Sequence, residues 1–163
     1  MLDELALPER VDVLRHLLVL GIAYLLAMPI AWNREHAERS AGLRTFSLVA
    51  VSCCGFIQAA EMRLGGDPDA MSKVIEGLIT GIGFIGGGAI LRTGATVKGT
   101  ATAASLWATG AIGTAVGLGA YDVAVVISVL TMSSLIILPR IDGGASPKKQ
   151  AEAQKRADDA HDA

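Results

Sequence analysis

Residues 74–91 are apolar for 18 positions, interrupted by one acid, Glu76, and six of those positions are glycine: Gly77, Gly81, Gly83, Gly86, Gly87 and Gly88. An apolar run of about this length crosses a bilayer. Glycine costs about 1 kcal/mol relative to alanine in a helix interior, so six in one span need a physical reason. In lipid that reason is close approach of another helix, because small residues let backbones touch where no hydrophobic force drives association. The segment is expected to be buried among helices rather than to face lipid on every side.

Four more apolar runs, residues 13–32, 46–60, 101–119 and 123–138, accompany it. The second is short, at 15 residues, and must borrow Thr45, Glu61 and Met62 to cross. With 52% apolar and 18% charged residues in a chain of 163, five spans leave too little sequence for a soluble core of comparable size. The expected fold class is all-α: a polytopic membrane protein, a bundle of five transmembrane helices. Residues 1–12 form an external segment, 13–138 the membrane domain and 139–163 a short tail. Residues 1–12 are acidic and lack the basic region of a cleaved signal peptide, so the first span is expected to insert uncleaved. The tail, rich in Ala, Lys, Asp and Glu, is expected to be a frayed helix or disordered.

Orientation follows from the basic residues. One side carries Arg10, Arg15, Arg63 and Lys73; the other carries Arg34, Arg39, Arg44, Arg92, Lys98, Arg140, Lys148, Lys149, Lys155 and Arg156. The N-terminus is therefore expected outside and the C-terminus in the cytoplasm. A net charge of −2 gives no nucleic-acid footprint. Cys53 and Cys54 are adjacent and mid-span, with no ligand cluster beside them, and read as small residues in a packed helix. No cofactor is implied.

On a helical wheel the third span divides. Glu76, Thr80, Gly83 and Gly87 share one side and Gly77, Gly81 and Gly88 a neighbouring stripe; Ile75, Leu78, Ile79, Ile82, Ile85 and Ile90 occupy the opposite half, expected to face lipid or a bulky neighbour. Phe84 falls between the glycine stripes. In the second span Ser47, Cys54, Gln58 and Glu61 share a face. In the fourth, Thr102, Thr109 and Gly113 do, with Gly117 close by. The expected core is the second, third and fourth spans. Gly77, Gly81, Gly83, Gly87, Gly88, Gly113 and Gly117 are its packing positions, and the first and fifth spans face lipid.

An acid within a span is a functional hypothesis by default. Glu76 follows Lys73 by one helical turn, however, and an ion pair or a place among the headgroups explains it equally. Glu61 is expected to emerge on the same side. Two carboxylates together would suit a divalent cation, which makes Glu61 and Glu76 weak metal candidates.

Several short motifs occur in a fixed order: Arg34-Glu35, Ala41-Gly42-Leu43-Arg44-Thr45, Asp67-Pro68, Gly81-Ile82-Gly83-Phe84-Ile85-Gly86-Gly87-Gly88, and Val97-Lys98-Gly99-Thr100-Ala101-Thr102-Ala103-Ala104-Ser105-Leu106-Trp107. In these the chain resembles the MgtC/SapB family of bacterial inner-membrane proteins over residues 14–138. The resemblance implies five spans and singles out Arg34, Glu35, Gly42, Arg44, Thr45, Asp67, Gly81, Gly83, Gly87, Gly99, Thr102 and Trp107. It also implies a modulator of other membrane machines, associated with low-magnesium adaptation, virulence and inhibition of ATP synthase. Better-known members continue into a soluble domain similar to the ACT fold; the present tail is too short for one, so the sequence reads as a short form. Relatives commonly have a neutral residue at or next to the position of Glu76.

Three functions are weighed. The first is a non-enzymatic regulator, a homo-oligomer whose faces dock onto ATP synthase or another inner-membrane transporter or sensor. The alternative is a small magnesium or proton transporter with Glu76 and Glu61 at its outer mouth and the hydroxyls of Thr80, Thr102 and Thr109 partway. Against that, no second acid lies deeper in any span. For an enzyme the sequence offers no His-Glu-x-x-His helix, no Gly-x-Ser-x-Gly elbow and no nucleophile beside His16, His36 or His161.

Overall fold

The computed structural model describes residues 10–37, 41–93 and 96–141. The expected external segment therefore lies mostly, and the tail from residue 142 wholly, outside the described residues.

Five helices follow the five apolar runs: α1 (Arg10–Ala37), α2 (Leu43–Leu64), α3 (Pro68–Gly88), α4 (Thr100–Gly117) and α5 (Tyr121–Ile141). Local chemistry sets their ends. Asp67 caps α3, its carboxylate accepting from the Asp69 and Ala70 amides at 3.0 and 3.4 Å, and Pro68 occupies the first turn, where no amide donor is needed. Gly65, in the left-handed region at φ 58°, ends α2. The short second run crosses by extending at both ends, giving α2 22 residues. Between α3 and α4 stands a feature the sequence did not predict: strands β1 (Leu91–Thr93) and β2 (Thr96–Lys98), antiparallel, with Leu91 opposite Lys98. Strands of three residues are too short for their alternation to register.

Close pairs along the helices give their directions. Leu20 nears Gly55, and His16 pairs with Gln58, so α1 and α2 run antiparallel. Ile82 faces Gly110, and Gly86 faces Ala103, so α3 and α4 are antiparallel. Gly113 meets Ala50 and Gly117 meets Cys54 and Ile57, so α4 runs parallel to α2. Ser128 of α5 donates a 2.8 Å hydrogen bond to the Leu26 carbonyl of α1.

The centre is α4. Thr102, Ser105, Leu106, Thr109, Gly110, Ile112, Gly113, Ala115, Val116 and Gly117 are all buried, and the helix touches α1, α2 and α3. Against it stand the small face of α1 (Ala23, Ala27, Ile30, Ala31) and the face of α2 carrying Phe46, Ala50, Cys53, Cys54 and Ile57. Two expectations change here. The core is α1, α2 and α4, with α3 buried only at Ile82 and Gly86, rather than the second, third and fourth spans. Of the five expected spans, four are long and apolar enough to cross a membrane by length and composition: Val13–Ala37, Leu43–Leu64, Pro68–Gly88 and Tyr121–Pro139. Helix α4 is the exception. Threonine, serine and glycine dilute its apolarity, and a helix covered by other helices has no need of a lipid-compatible surface.

The compact bundle runs to Met132. From Ser133 the chain forms a second unit, described as the helical continuation of α5 to Ile141, with Ile137 and Leu138 exposed and Pro139 near its end.

Candidate functional site

Most of the motif residues at the α1–α2 edge have structural work. Arg34, in the last turn of α1, is 7% exposed and its guanidinium donates to Asn33 Oδ1 at 3.1 and 3.3 Å. Next to it, Glu35 Oε2 accepts from the Leu43 amide at 2.9 Å. Gly42 precedes α2 with no side chain to cap it, so the Glu35 carboxylate is the cap, placed where the helix dipole favours negative charge. A Cβ at residue 42 would overlap that carboxylate. The motif Arg-Glu…Gly is thus a turn in which glycine makes room for an acid from the preceding helix.

Gly99, at φ 87°, holds the left-handed backbone that starts α4, and a Cβ there would overlap the Ala89 carbonyl. Thr102 is fully buried. Trp107, 49% exposed, lines a cavity of about 270 Å³ with Ile75, Ile79 and Ile82 of α3. Arg44 and Thr45 stand at one end of a larger groove, about 670 Å³, between α2 and α3, with Leu48, Phe56, Leu78 and Ile85 among its walls.

Helix α3 is turned opposite to the wheel reading. Its inward contact comes from the bulky stripe: Ile82 is buried, and a Cβ at Gly110 would run into the Ile82 side chain, with its Cγ1 only 2.9 Å away, whereas Ile79, Ile85 and Ile90 of the same stripe are exposed. At Gly77, Gly81, Gly83, Gly87 and Gly88 an added Cβ would meet nothing within 4 Å. Phe84, between the glycine stripes, is 85% exposed. Small residues do mediate close packing within the chain, but on α4: Gly113 lies against the Ala50 backbone, and a Cβ at Gly117 would sit 2.7 Å from Ile57 Cβ. The α4 glycines admit bulk from α2 and α3. The α3 glycines have no such neighbour: Gly77 and Gly81 border the open groove toward α2, and Gly83, Gly87 and Gly88 are exposed.

At the opposite end from Arg34 lies a cleft of about 410 Å³ lined by Arg15, His16 and Val19 of α1, Gln58, Glu61 and Met62 of α2, the 116–119 end of α4, and Tyr121. His16 Nδ1 is hydrogen-bonded to Gln58 Oε1, and Gln58 Nε2 lies 3.3 Å from Cys54 Sγ. The amide oxygen can only accept, so Nδ1 carries the hydrogen, and in the neutral ring Nε2 keeps its lone pair. Sequence reasoning placed Gln58 and Glu61 on one face of α2. It missed that His16 meets them, because nothing in the spacing of α1 and α2 reports their mutual rotation. Farther along the same face, Ser47 Oγ is buried with no hydrogen-bond partner.

Glu76 and Lys73 are both exposed on α3 and form no ion pair. Glu61 borders the cleft, and Glu76 does not. Among the described residues no group of three or more His, Cys, Asp or Glu could hold a metal ion. Three of the helix hydroxyls are engaged by their own backbones: Thr80 donates to the Glu76 carbonyl at 2.9 Å, Ser105 to Ala101 at 2.7 Å and Thr109 to Ser105 at 2.8 Å.

Several long apolar helices around a small-residue central helix define a polytopic membrane protein. The MgtC family model matches residues 20–143. The chain belongs to the MgtC family. It is 35% identical to Protein MgtC of Salmonella typhimurium over 132 residues, which is 81% of this chain and 56% of that protein. With Protein SrpB of Synechococcus elongatus it shares 32% identity over 135 residues, 74% of each chain. With Protein MgtC of Brucella abortus the identity is 37% over 111 residues, 68% of this chain and 46% of that protein. The chain thus spans about half the length of the MgtC proteins it matches. No solved structure matches.

Proposed function

We propose that this chain is a non-enzymatic regulator of the bacterial inner membrane that works by packing against other membrane proteins. Its N-terminus is outside, its C-terminus cytoplasmic, and α4 is a fifth span enclosed by the other helices. The observation that carries the reading is the small-residue surface of α3: a Cβ added at Gly77, Gly81, Gly83, Gly87 or Gly88 would meet nothing within 4 Å, while Ile82 of the same helix is seated on Gly110 of α4. A glycine face turned to lipid gains nothing, whereas against another helix it allows backbone contact. The occupant is a second copy of the chain, or a helix of ATP synthase or of another inner-membrane transporter or sensor, in keeping with the family's association with low-magnesium adaptation and virulence.

The transporter alternative finds little support in the polar groups. The hydroxyls of Thr80 and Thr109 are bonded to their own helices, and the Glu76 carboxylate has no polar partner among the described residues with which to begin a relay. The two readings separate in sealed liposomes containing the purified protein. We expect no magnesium or proton flux above protein-free vesicles. Flux that Glu76→Gln abolishes would overturn the regulator reading and put Glu76 at the centre of a transport path.

A further inference from the structure

We propose that the cleft bounded by Arg15, His16, Glu61 and Tyr121 binds an ammonium-bearing phosphate ester, supplied by the headgroup of phosphatidylethanolamine in the leaflet at that end of the bundle. A guanidinium and a carboxylate open onto the same space of about 410 Å³, yet neither forms an ion pair among the described residues. Two opposite charges sharing a cleft without joining leave room for a ligand that carries both signs. The guanidinium fork matches a phosphate in bidentate fashion. The carboxylate accepts hydrogen bonds from a primary ammonium.

His16 strengthens the match. Its Nδ1 is committed to Gln58, which fixes the ring and leaves Nε2 as a further acceptor for an N–H donor. Tyr121 also lines the cleft and could contribute its hydroxyl to the ligand, and Met62 and Leu118 add apolar wall suited to the glycerol and first acyl carbons. The setting is interfacial, built from the first turns of α1, the last turns of α2 and the start of α5, where a headgroup resides. A metal ion fits less well, since His16 and Glu61 are the only strong ligands lining the cleft.

The test uses delipidated protein in detergent, titrated with phosphatidylethanolamine, phosphatidylcholine and phosphatidylglycerol of identical acyl chains, with bound lipid counted by native mass spectrometry. Wild type is expected to prefer phosphatidylethanolamine by about tenfold, the worth of one charge-assisted hydrogen bond. Phosphatidylcholine has no N–H to offer Glu61, and phosphatidylglycerol has no ammonium. Glu61→Gln should erase the preference, and Arg15→Gln should weaken all three lipids. Both side chains are exposed, so the fold should survive, and the lipid ranking of wild type stands without any variant. Equal binding of the three lipids, or a preference that Glu61→Gln leaves intact, would overturn the proposal. Free phosphoethanolamine binding as tightly as the lipid would overturn the lipid source and assign the cleft to a soluble ligand.

Discussion

Gly113 lies against the Ala50 backbone of α2, whereas a Cβ added at Gly83 would meet nothing within 4 Å. Substitution should separate these two situations. Gly113→Val forces a branched side chain into a filled interface and is expected to cost roughly 1–3 kcal/mol or more, read as a lower midpoint of thermal unfolding in detergent. Gly83→Leu should leave that midpoint unchanged and abolish assembly with the partner or second copy, read by size-exclusion chromatography and co-purification. A destabilised Gly83→Leu monomer would mean that α3 packs differently. At the α1–α2 turn, Glu35→Ala removes the acceptor of the Leu43 amide and is expected to cost about 1 kcal/mol, the usual worth of a helix cap. Glu35→Gln, which keeps a side-chain oxygen, should recover part of it.

Each apolar run became a helix because its length and composition left few alternatives, and α2 extends past the expected Thr45, Glu61 and Met62 to Leu43 and Leu64. The rotation of each helix was not legible. The glycine stripe of α3 reads as an inward face when the only partner considered is the same chain. Which stripe goes inward was decided by α4, whose Gly110 accepts Ile82. The same blindness hid the meeting of His16 with Gln58. Caps went unread as well: Asp67-Pro68 carries the chemistry of a helix start but is singled out only as a family motif, and the cap supplied by Glu35 to α2 crosses a turn that spacing alone does not close. One consequence belongs to α4 as an element. Its surface is too rich in threonine, serine and glycine for lipid, so α4 alone is expected to insert poorly as an isolated segment in a translocon assay. The α1 and α5 segments should insert well. Efficient insertion of isolated α4 would remove the reason for its enclosure.

For the whole molecule, α4 decides the topology. Counted as a span, it puts the two termini on opposite sides of the membrane; left out, it puts them on the same side. Single cysteines at Leu14 and at Leu138, in a background lacking Cys53 and Cys54, should label from opposite sides with a membrane-impermeant maleimide. Same-side labelling would contradict a five-span bundle. In the proposed orientation, that arrangement would place Arg34, Arg44 and the β1–β2 hairpin at the cytoplasmic edge, and the cleft around His16 and Glu61 at the other.

The central claim is that the glycine face of α3 is covered by another protein helix in the membrane. Phe84 stands between its two stripes, 85% exposed, and is replaceable by the photo-crosslinker benzoylphenylalanine with little change in shape. Irradiated cells should yield a defined protein adduct from residue 84 and none from residue 25 of α1, where Leu25 is exposed at 67%. Lipid adducts alone from residue 84, in protein shown to be inserted, would contradict the claim.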